Sequence, residues 1–193
     1  MNQFENIQLV LGSKSPRRSQ LLSEAGFKFE IRTKDTDESF SDDMPSLEVA
    51  EYLARKKANA LYATLPDNEI VITADSVVIL DDKIYNKPEN HMVAFNMLRQ
   101  LSGREHCVAT GVCLMSKHKC TSFTTLTYVV FDRLSDDEIN YYITNYLPFD
   151  KAGSYGIQDW IGLCKVNAIR GSYSNVMGLP VRDVYNALLD FCR

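Results

Sequence analysis

Basic charge, paired cysteine and long apolar runs are all scarce in this chain, and each shortage narrows what the protein can be. Lys and Arg total 21 against 25 Asp and Glu, for a net charge of −4. Duplex nucleic acid and anionic membrane surfaces are normally met by a basic field, so neither is an expected partner; a small basic pocket is still compatible with the balance. Five Cys (107, 113, 120, 164 and 192) include no C-x-x-C pair, and an odd number cannot all pair within one chain. Reduced thiols in a cytoplasmic protein are the simplest account. Three scattered His argue against a zinc centre. Apolar runs break within a few residues, as where Ile70-Val71-Ile72 gives way to Thr73-Ala74-Asp75, far short of the roughly 20 residues of a membrane helix. Residues 1–12 carry Glu5 and no Lys or Arg, so they lack the basic start of a secretory signal. Nine Gly and six Pro are too few for a low-complexity chain. What is present is 193 residues, 45% of them hydrophobic, enough to offset chain entropy in one domain spanning 1–193.

Helices and strands intermix along the chain. Gln8 to Gly12 reads as a short buried strand, followed by a helix start at Ser15-Pro16, a hydroxyl N-cap before a proline that needs no N–H. Gly26 can stop that helix, and residues 27–31 alternate as a strand. Residues 34–46 are acidic and irregular, and a long helix is expected over 47–65. Residues 69–80 are the most strand-like stretch, ended by Asp81-Asp82. Asn90 can cap a helix that ends at Gly103. Long β segments near 106–116 and 120–132 suggest an antiparallel pair, and Ser135 to Glu138 is a capping box that opens a helix through about Asn145. After a Gly-rich stretch (153–178), a helix over 181–191 closes the chain. Without a strict βαβ period, a mixed-sheet α/β fold with flanking helices fits best.

The strongest local signal is Ser13-x-Ser15-Pro16-Arg17-Arg18 between a strand and a helix. Orphan N–H groups at a helix N-terminus attract anions, and two adjacent guanidinium forks match phosphate oxygens. The plainer alternative is a solvated basic start to an amphipathic helix, although positive charge there opposes the helix dipole. No Walker loop occurs. Asp75 follows five residues of a largely apolar strand, so its carboxylate must be paired, metal-bound or exposed at a cleft or strand edge. Lys87-Pro88 lies just past the next turn. Lys57 and Glu38 taken alone read as a solvated helix residue and a loop residue. Asp150 to Gln158 and Gly171 to Pro180 gather glycines, aromatics and amides, for close ligand approach or for tight turns.

Taken in order, these stretches resemble the Maf family of nucleotide pyrophosphatases. The landmarks are Ser13-x-Ser15-Pro16-Arg17-Arg18, Ala54-x-x-Lys57-Ala58, Ala74-Asp75-Ser76-Val77-Val78, Lys87-Pro88, Leu101-Ser102-Gly103-x-x-His106, Asp150-Lys151-Ala152-Gly153 to Gln158, and Gly171-Ser172-Tyr173 to Gly178-Leu179-Pro180. The resemblance implies a mixed sheet in two lobes around a substrate cleft. It also implies hydrolysis of nucleoside triphosphates to monophosphate and pyrophosphate with a divalent metal, Mg²⁺ or Mn²⁺. Carried over, Asp75 resembles the catalytic base, and Ser13, Arg17, Arg18, Lys57 and Lys87 resemble phosphate ligands. Glu38 and Asp75 would hold the metal, and Arg17, Ser76 and Gln158 match positions linked with substrate choice. The Asp-Lys-Ala-Gly-x-Tyr-Gly-Ile-Gln form is similar to the subgroup acting on dTTP and UTP, including modified pyrimidine analogues. One departure is Asp159-Trp160, where that subgroup usually has glycine after Gln158. The resemblance further implies a homodimer, and its alternative reading is a septum-formation regulator acting through protein partners.

Overall fold

The structure, a computed structural model, describes residues 7–192; residues 1–6 and 193 of the expected domain lie outside the described residues. Its strands form one mixed sheet of seven, with β4 paired to β3 and the others in the order β2-β1-β3-β5-β6-β7. They are β1 (Gln8–Leu11), β2 (Phe29–Ile31), β3 (Glu69–Leu80), β4 (Lys83–Tyr85), β5 (Glu105–Met115), β6 (Cys120–Phe131) and β7 (Val166–Arg170). The chain divides into two compact units. One holds the described residues of Met1–Asp75, Thr110–Thr125 and Gly178–Arg193, and the other holds Ser76–Ala109 and Leu126–Met177. The divisions fall inside β3, β5 and β6, so neither unit is continuous in sequence.

In the first unit, β1 lies parallel to both β2 and β3, with Leu9 opposite Phe29 on one side and Ile70 on the other. Leu9 to Leu11 and Ile70 to Ile72 are buried, which is why both stretches are continuously apolar rather than alternating. The helix α1 (Pro16–Glu24) has Pro16 in its first turn and ends before Gly26, at φ 80°. Ser15 occupies the N-cap position as expected, but its hydroxyl makes no capping bond. The Oγ of Ser13 instead accepts the Ser15 N–H at 3.2 Å.

The long helix α2 (Ser46–Tyr62) buries Val49, Ala50, Leu53, Ala54, Ala58 and Leu61, a single apolar stripe at helical spacing. It ends three residues before the expected Leu65, because Pro66 disfavours helical geometry in the residue it follows. Small residues let α2 approach the sheet closely. A Cβ built on Gly111 of β5 would lie 2.1 Å from the Glu51 nitrogen and 2.2 Å from the Ala50 carbonyl carbon. The Thr73 hydroxyl of β3 donates to the Ala54 carbonyl at 2.7 Å, and Ser122 and Thr124 of β6 donate to the Glu51 carboxylate at 2.6 and 3.1 Å. The helix α7 (Val181–Phe191) belongs to the same unit and buries Val184, Leu188 and Phe191.

In the second unit, β3 turns into β4 through Asp81 and Asp82, both at positive φ (51° and 60°), with Leu80 opposite Lys83. A two-residue hairpin of this kind needs left-handed backbone at both loop positions, and the Arg104 guanidinium holds the Asp81 carboxylate at 2.7 and 2.8 Å. The helix α3 (His91–Leu101) is capped by Asn90, whose side chain accepts from Val93 N–H. The helix α4 (Asp136–Tyr146) has the expected capping box at Ser135 and Glu138. Four residues separate β5 from β6, closed by Ser116 N–H to Lys119 C=O at 2.9 Å; neighbours joined so tightly can only be antiparallel.

The Gly-rich stretch holds more structure than its composition suggests: α5 (Trp160–Lys165), β7 and α6 (Tyr173–Met177). The strand β7 pairs antiparallel with β6, Val129 opposite Ile169, at the end of the sheet. Three of its five residues are exposed, so it lacks the apolar alternation that reveals inner strands. The core of this unit gathers Leu98, Leu101, Phe131, Ile139, Tyr142, Ile143 and Ile161.

Gly111→Ala is expected to destabilise the protein by at least about 3 kcal/mol. Overpacking typically costs 1–3 kcal/mol, and here the new methyl meets helix backbone, which cannot turn aside. Urea denaturation of both proteins checks it; a change below about 1 kcal/mol, the low end of that range, would mean that α2 shifts freely.

Candidate active site

The residues of interest in the first unit converge from four segments. Gly12 follows β1 and is buried, with Thr73 Cγ2 only 2.6 Å from where its Cβ would stand, so the chain leaves the sheet tight against β3. Ser13 is buried behind it, at 8% exposure. Arg18, one turn into α1, donates from Nε to the Gly178 carbonyl at 2.8 Å and from Nη1 to the Ala74 carbonyl at 2.8 Å and Ser13 Oγ at 3.3 Å. One guanidinium therefore ties together the loop after β1, the residue before Asp75, and the Gly-Leu-Pro segment ahead of α7. Burial lowers the Arg18 pKa, Asp75 and Glu38 raise it, and Arg17 lowers it, so all four charges share one electrostatic neighbourhood.

Asp75 stands at one of only two incompletely buried positions along β3, the other being Ser76. Its carboxylate is hydrogen-bonded to Lys57 Nζ, and the same ammonium lies 2.8 Å from Glu38 Oε1. Lys57 and Asp75 are 17% and 14% exposed, whereas Glu38 is 50% exposed. The result is a carboxylate–ammonium–carboxylate chain running from a buried strand to solvent. Neither Lys57 nor Glu38 is a solvated bystander. The acidic loop that carries Glu38 is anchored by two lysines that stand outside the site residues expected above. Lys14 holds Asp35 at 2.7 Å, and Lys56 reaches Asp37 at 2.9 Å and the Ser39 carbonyl at 3.1 Å. Hydrogen bonds from Ser39, then Lys56, depress the Asp37 pKa to about 2. The signal for this anchoring was the alternation of Lys56-Lys57 against Asp37-Glu38, legible only once loop and helix face one another.

Ser13, Arg17, Arg18, Glu38, Lys57 and Asp75 thus belong to one unit, and Ser76, Lys87 and Gln158 belong to the other. Lys87 is exposed beyond β4, and Ser76 is half-buried on β3. Gln158 is half-buried, but its Oε1 is covered and finds no hydrogen-bond partner among the described residues. Two phenols fix the segment leading to it. Tyr142 of α4 accepts from Gly156 N–H at 2.9 Å and donates to Asp159 Oδ2 at 2.6 Å. Tyr155 and His106 Nε2 lie 2.7 Å apart with their rings edge to face. A side chain at Gly156 would strike Gln158 Nε2 and Asp159 Oδ2, at 2.7 and 2.6 Å, so this glycine serves close packing. Asp159, where the subgroup usually has glycine, is the acceptor that completes the Tyr142 bridge.

A family model described as Maf-like protein matches residues 8–191. The chain belongs to the Maf-like family. It is 47% identical over 192 residues to a dTTP/UTP pyrophosphatase of Parabacteroides distasonis, covering 99% of this chain and all of that one. It is 46% identical to a protein of the same name from Flavobacterium psychrophilum, covering 97% and 96% of the two chains. The Ham1 protein of Staphylococcus aureus has a similar fold, with a TM-score of 0.53 at 14% identity over 96% of this chain and all of that one. Membership puts the quoted Maf-like landmarks on fixed elements: the Ser13 to Arg18 motif at the start of α1, Lys57 on α2, Asp75 on β3. No helix among the described residues is long and apolar enough to cross a membrane.

The buried His106 supplies a test of how the Gln158 segment is held. Burial lowers its pKa from 6.5 to about 4, so the imidazole stays neutral in the fold while the unfolded chain takes up a proton below pH 6.5. Its contribution is therefore present above pH 6.5 and lost as pH falls toward 4. Between pH 7 and pH 5 the loss is about 2 kcal/mol. In His106→Phe the decline in stability over that interval is expected to be shallower by this amount, measured by urea denaturation at both pH values; parallel declines would refute a neutral buried imidazole.

Proposed function

We propose that this Maf-like protein hydrolyses dTTP and UTP, and pyrimidine analogues of them, to the monophosphate and pyrophosphate. The observation that carries the reading is the Asp75–Lys57–Glu38 chain beside the Ser13 to Arg18 segment, in a chain whose near-full-length relatives bear the name dTTP/UTP pyrophosphatase. Phosphoanhydride hydrolysis asks a protein for positioning and charge stabilisation more than for covalent chemistry. Arg17, Arg18 and Lys57 serve as phosphate ligands with the Ser13 hydroxyl, and the family resemblance assigns the same role to Lys87 of the second unit. Arg18 also has a positioning role, because its Nε and Nη1 are engaged on protein acceptors and so hold Ala74 and, through it, Asp75. Asp75 orients the attacking water and accepts its proton.

The donor set also suits a hard divalent cation, Mg²⁺ or Mn²⁺. Glu38 and Asp75 offer carboxylate oxygens close enough to share one ammonium, and no group of three or more metal-ligating side chains is found among the described residues. Magnesium is commonly held by one or two carboxylates, with substrate phosphates and water completing the shell. When bound it would neutralise phosphate charge and polarise the anhydride. A cytoplasmic setting accompanies this reading through the unpaired cysteines, and a homodimer through the family resemblance; the chemistry requires neither.

At the base end, the Gln158 amide presents a donor and an acceptor, matching the carbonyl and N3–H edge of uracil or thymine. Its Oε1 has no hydrogen-bond partner among the described residues and is covered, so N3–H would reach it only after the Gln158 side chain turns.

Products of UTP are expected to be UMP and pyrophosphate; UDP and orthophosphate on chromatography would refute the reading. Asp75→Asn keeps the shape and removes the base, so kcat is expected to fall by about 10²–10⁴-fold in a folded protein. Near wild-type turnover would remove Asp75 from the mechanism. Gln158→Glu replaces a donor with a second acceptor, leaving the base carbonyl unpaired against negative charge. A loss of about 1–3 kcal/mol, or roughly 5- to 150-fold in kcat/KM for UTP, is expected, with 7-methyl-GTP turnover falling less. Equal losses on both substrates would make Gln158 structural.

A further inference from the structure

Two cysteines unrelated to the site above stand together on the hairpin formed by β5 and β6. Cys113 and Cys120 have their sulfurs 3.7 Å apart. Cys120, the first residue of β6, is exposed. It lines an open pocket of about 290 Å³ together with Tyr62, Met115, Lys117, His118 and Lys119. Cys113 is fully buried, in one apolar cluster with Ala54 and Ala58 of α2. One thiol is thus open to a small solute, and the other is shielded yet in van der Waals contact with the first.

We propose that Cys113 and Cys120 form an oxidisable pair, in which Cys120 reacts with hydrogen peroxide and Cys113 captures the product as a reversible disulfide. In the first step the Cys120 sulfur attacks a peroxide oxygen; the O–O bond breaks, an S–O bond forms and water leaves, giving the sulfenic acid. In the second step the Cys113 sulfur attacks the Cys120 sulfur. The S–O bond breaks, the S–S bond forms, and the hydroxyl departs with the Cys113 proton as water. Two thiols are oxidised and one peroxide is reduced to two waters.

The geometry sets the order and the pace. The sulfurs must close by about 1.7 Å to reach disulfide length, and Cys120 stands at a strand end beside a tight turn. Burial, then the neighbouring Cys120, pushes the Cys113 thiol well above its ordinary pKa, so capture quickens as pH rises. The pair's consequence is protective. Sulfenic acid is reversible and sulfinic acid is not, so Cys113 holds oxidation of the exposed thiol at the recoverable level.

The test uses the full chain carrying Cys164→Ser and Cys192→Ser, which removes the other exposed thiols. It is treated with hydrogen peroxide and digested with trypsin without reduction. Lys117 and Lys119 lie between the two cysteines, so a disulfide joins separate peptides, and fragmentation of the linked peptide places the bond on Cys113 rather than on Cys107, which shares its peptide. The expected result is a Cys113–Cys120 linked peptide that dithiothreitol releases, forming faster at higher pH. Adding Cys120→Ser, at an exposed position, is expected to abolish the linked peptide and leave Cys113 unmodified. Adding Cys113→Ala is expected to raise sulfinic acid at Cys120 severalfold. Absence of the linked peptide, or sulfinic acid forming at Cys120 as fast with Cys113 as without it, would overturn the proposal. Should Cys113→Ala fail to fold by circular dichroism, the linked peptide and its loss in Cys120→Ser decide the question.

Discussion

A carboxylate set into a strand whose other residues are almost all buried demands a counter-charge, and Lys57 provides it for Asp75 from a different element. An isolated buried charge is expensive, and removing one member of a buried pair costs about 3–5 kcal/mol. Lys57 can reach Asp75 only if α2 lies close against the sheet. Gly111, the hydroxyl of Thr73 on the Ala54 carbonyl, and the small residues Ala50, Ala54 and Ala58 all bring α2 there. These features look like ordinary packing, but their shared consequence is electrostatic: they set the length over which an ammonium meets a carboxylate. The ion pair itself adds little net stability, since apolar residues of like volume would serve the core as well. Under the proposed function, what the two charges contribute is their action on an arriving polyanion.

Arg18 carries the same logic to the far side of Asp75. By engaging Ala74, Ser13 and Gly178 together, it fixes the backbone from which the Asp75 side chain departs. The lowered pKa that burial imposes on it is resisted by Asp75 and Glu38, so its charge and theirs stabilise one another. The second unit holds its own polar segment mainly through phenol hydroxyls and a neutral imidazole. There the Tyr155–His106 and Tyr142–Asp159 contacts fix residues 155–159. Under the proposed function this segment would face a neutral pyrimidine edge, which fixed dipoles serve better than mobile charges.

How far the sequence revealed this arrangement varied with the kind of signal. The strands near 8–12, 27–31 and 69–80, the capping box at Ser135 and the Gly stops at 26 and 103 follow from patterns a few residues long, and they appear where expected, although the parallel pairing around β1 had no such local signal. The strand β7 and the short helices α5 and α6 hid in a Gly-rich stretch, because β7 is an exposed sheet end and the helices are only one to two turns long. At the site, Asp75 announced itself as a charge in an apolar run. Lys57 and Glu38 had no local signal, since each acquires meaning only through a contact across 18 or 19 residues. Resemblance to a family, rather than residue physics, singled them out. The anchoring of the Glu38 loop by Lys14 and Lys56 escaped both routes.

Charge accounts for why so many cations gather in an otherwise acidic protein. In the first unit Arg17, Arg18 and Lys57 stand against Glu38 and Asp75, which leaves one net positive charge at the site. A nucleoside triphosphate brings about four negative charges. Under the proposed function, the protein groups of this unit alone would leave a bound triphosphate strongly under-neutralised, in a place where half-buried side chains make unbalanced charge costly. On the same reading, a divalent cation held by the two carboxylates would close most of that gap. The two carboxylates are then not a flaw in an anion site, because each repels phosphate on its own but attracts the cation that phosphate needs. The ammonium of Lys57, shared between them, would on that reading keep the pair ordered until substrate and cation arrive together.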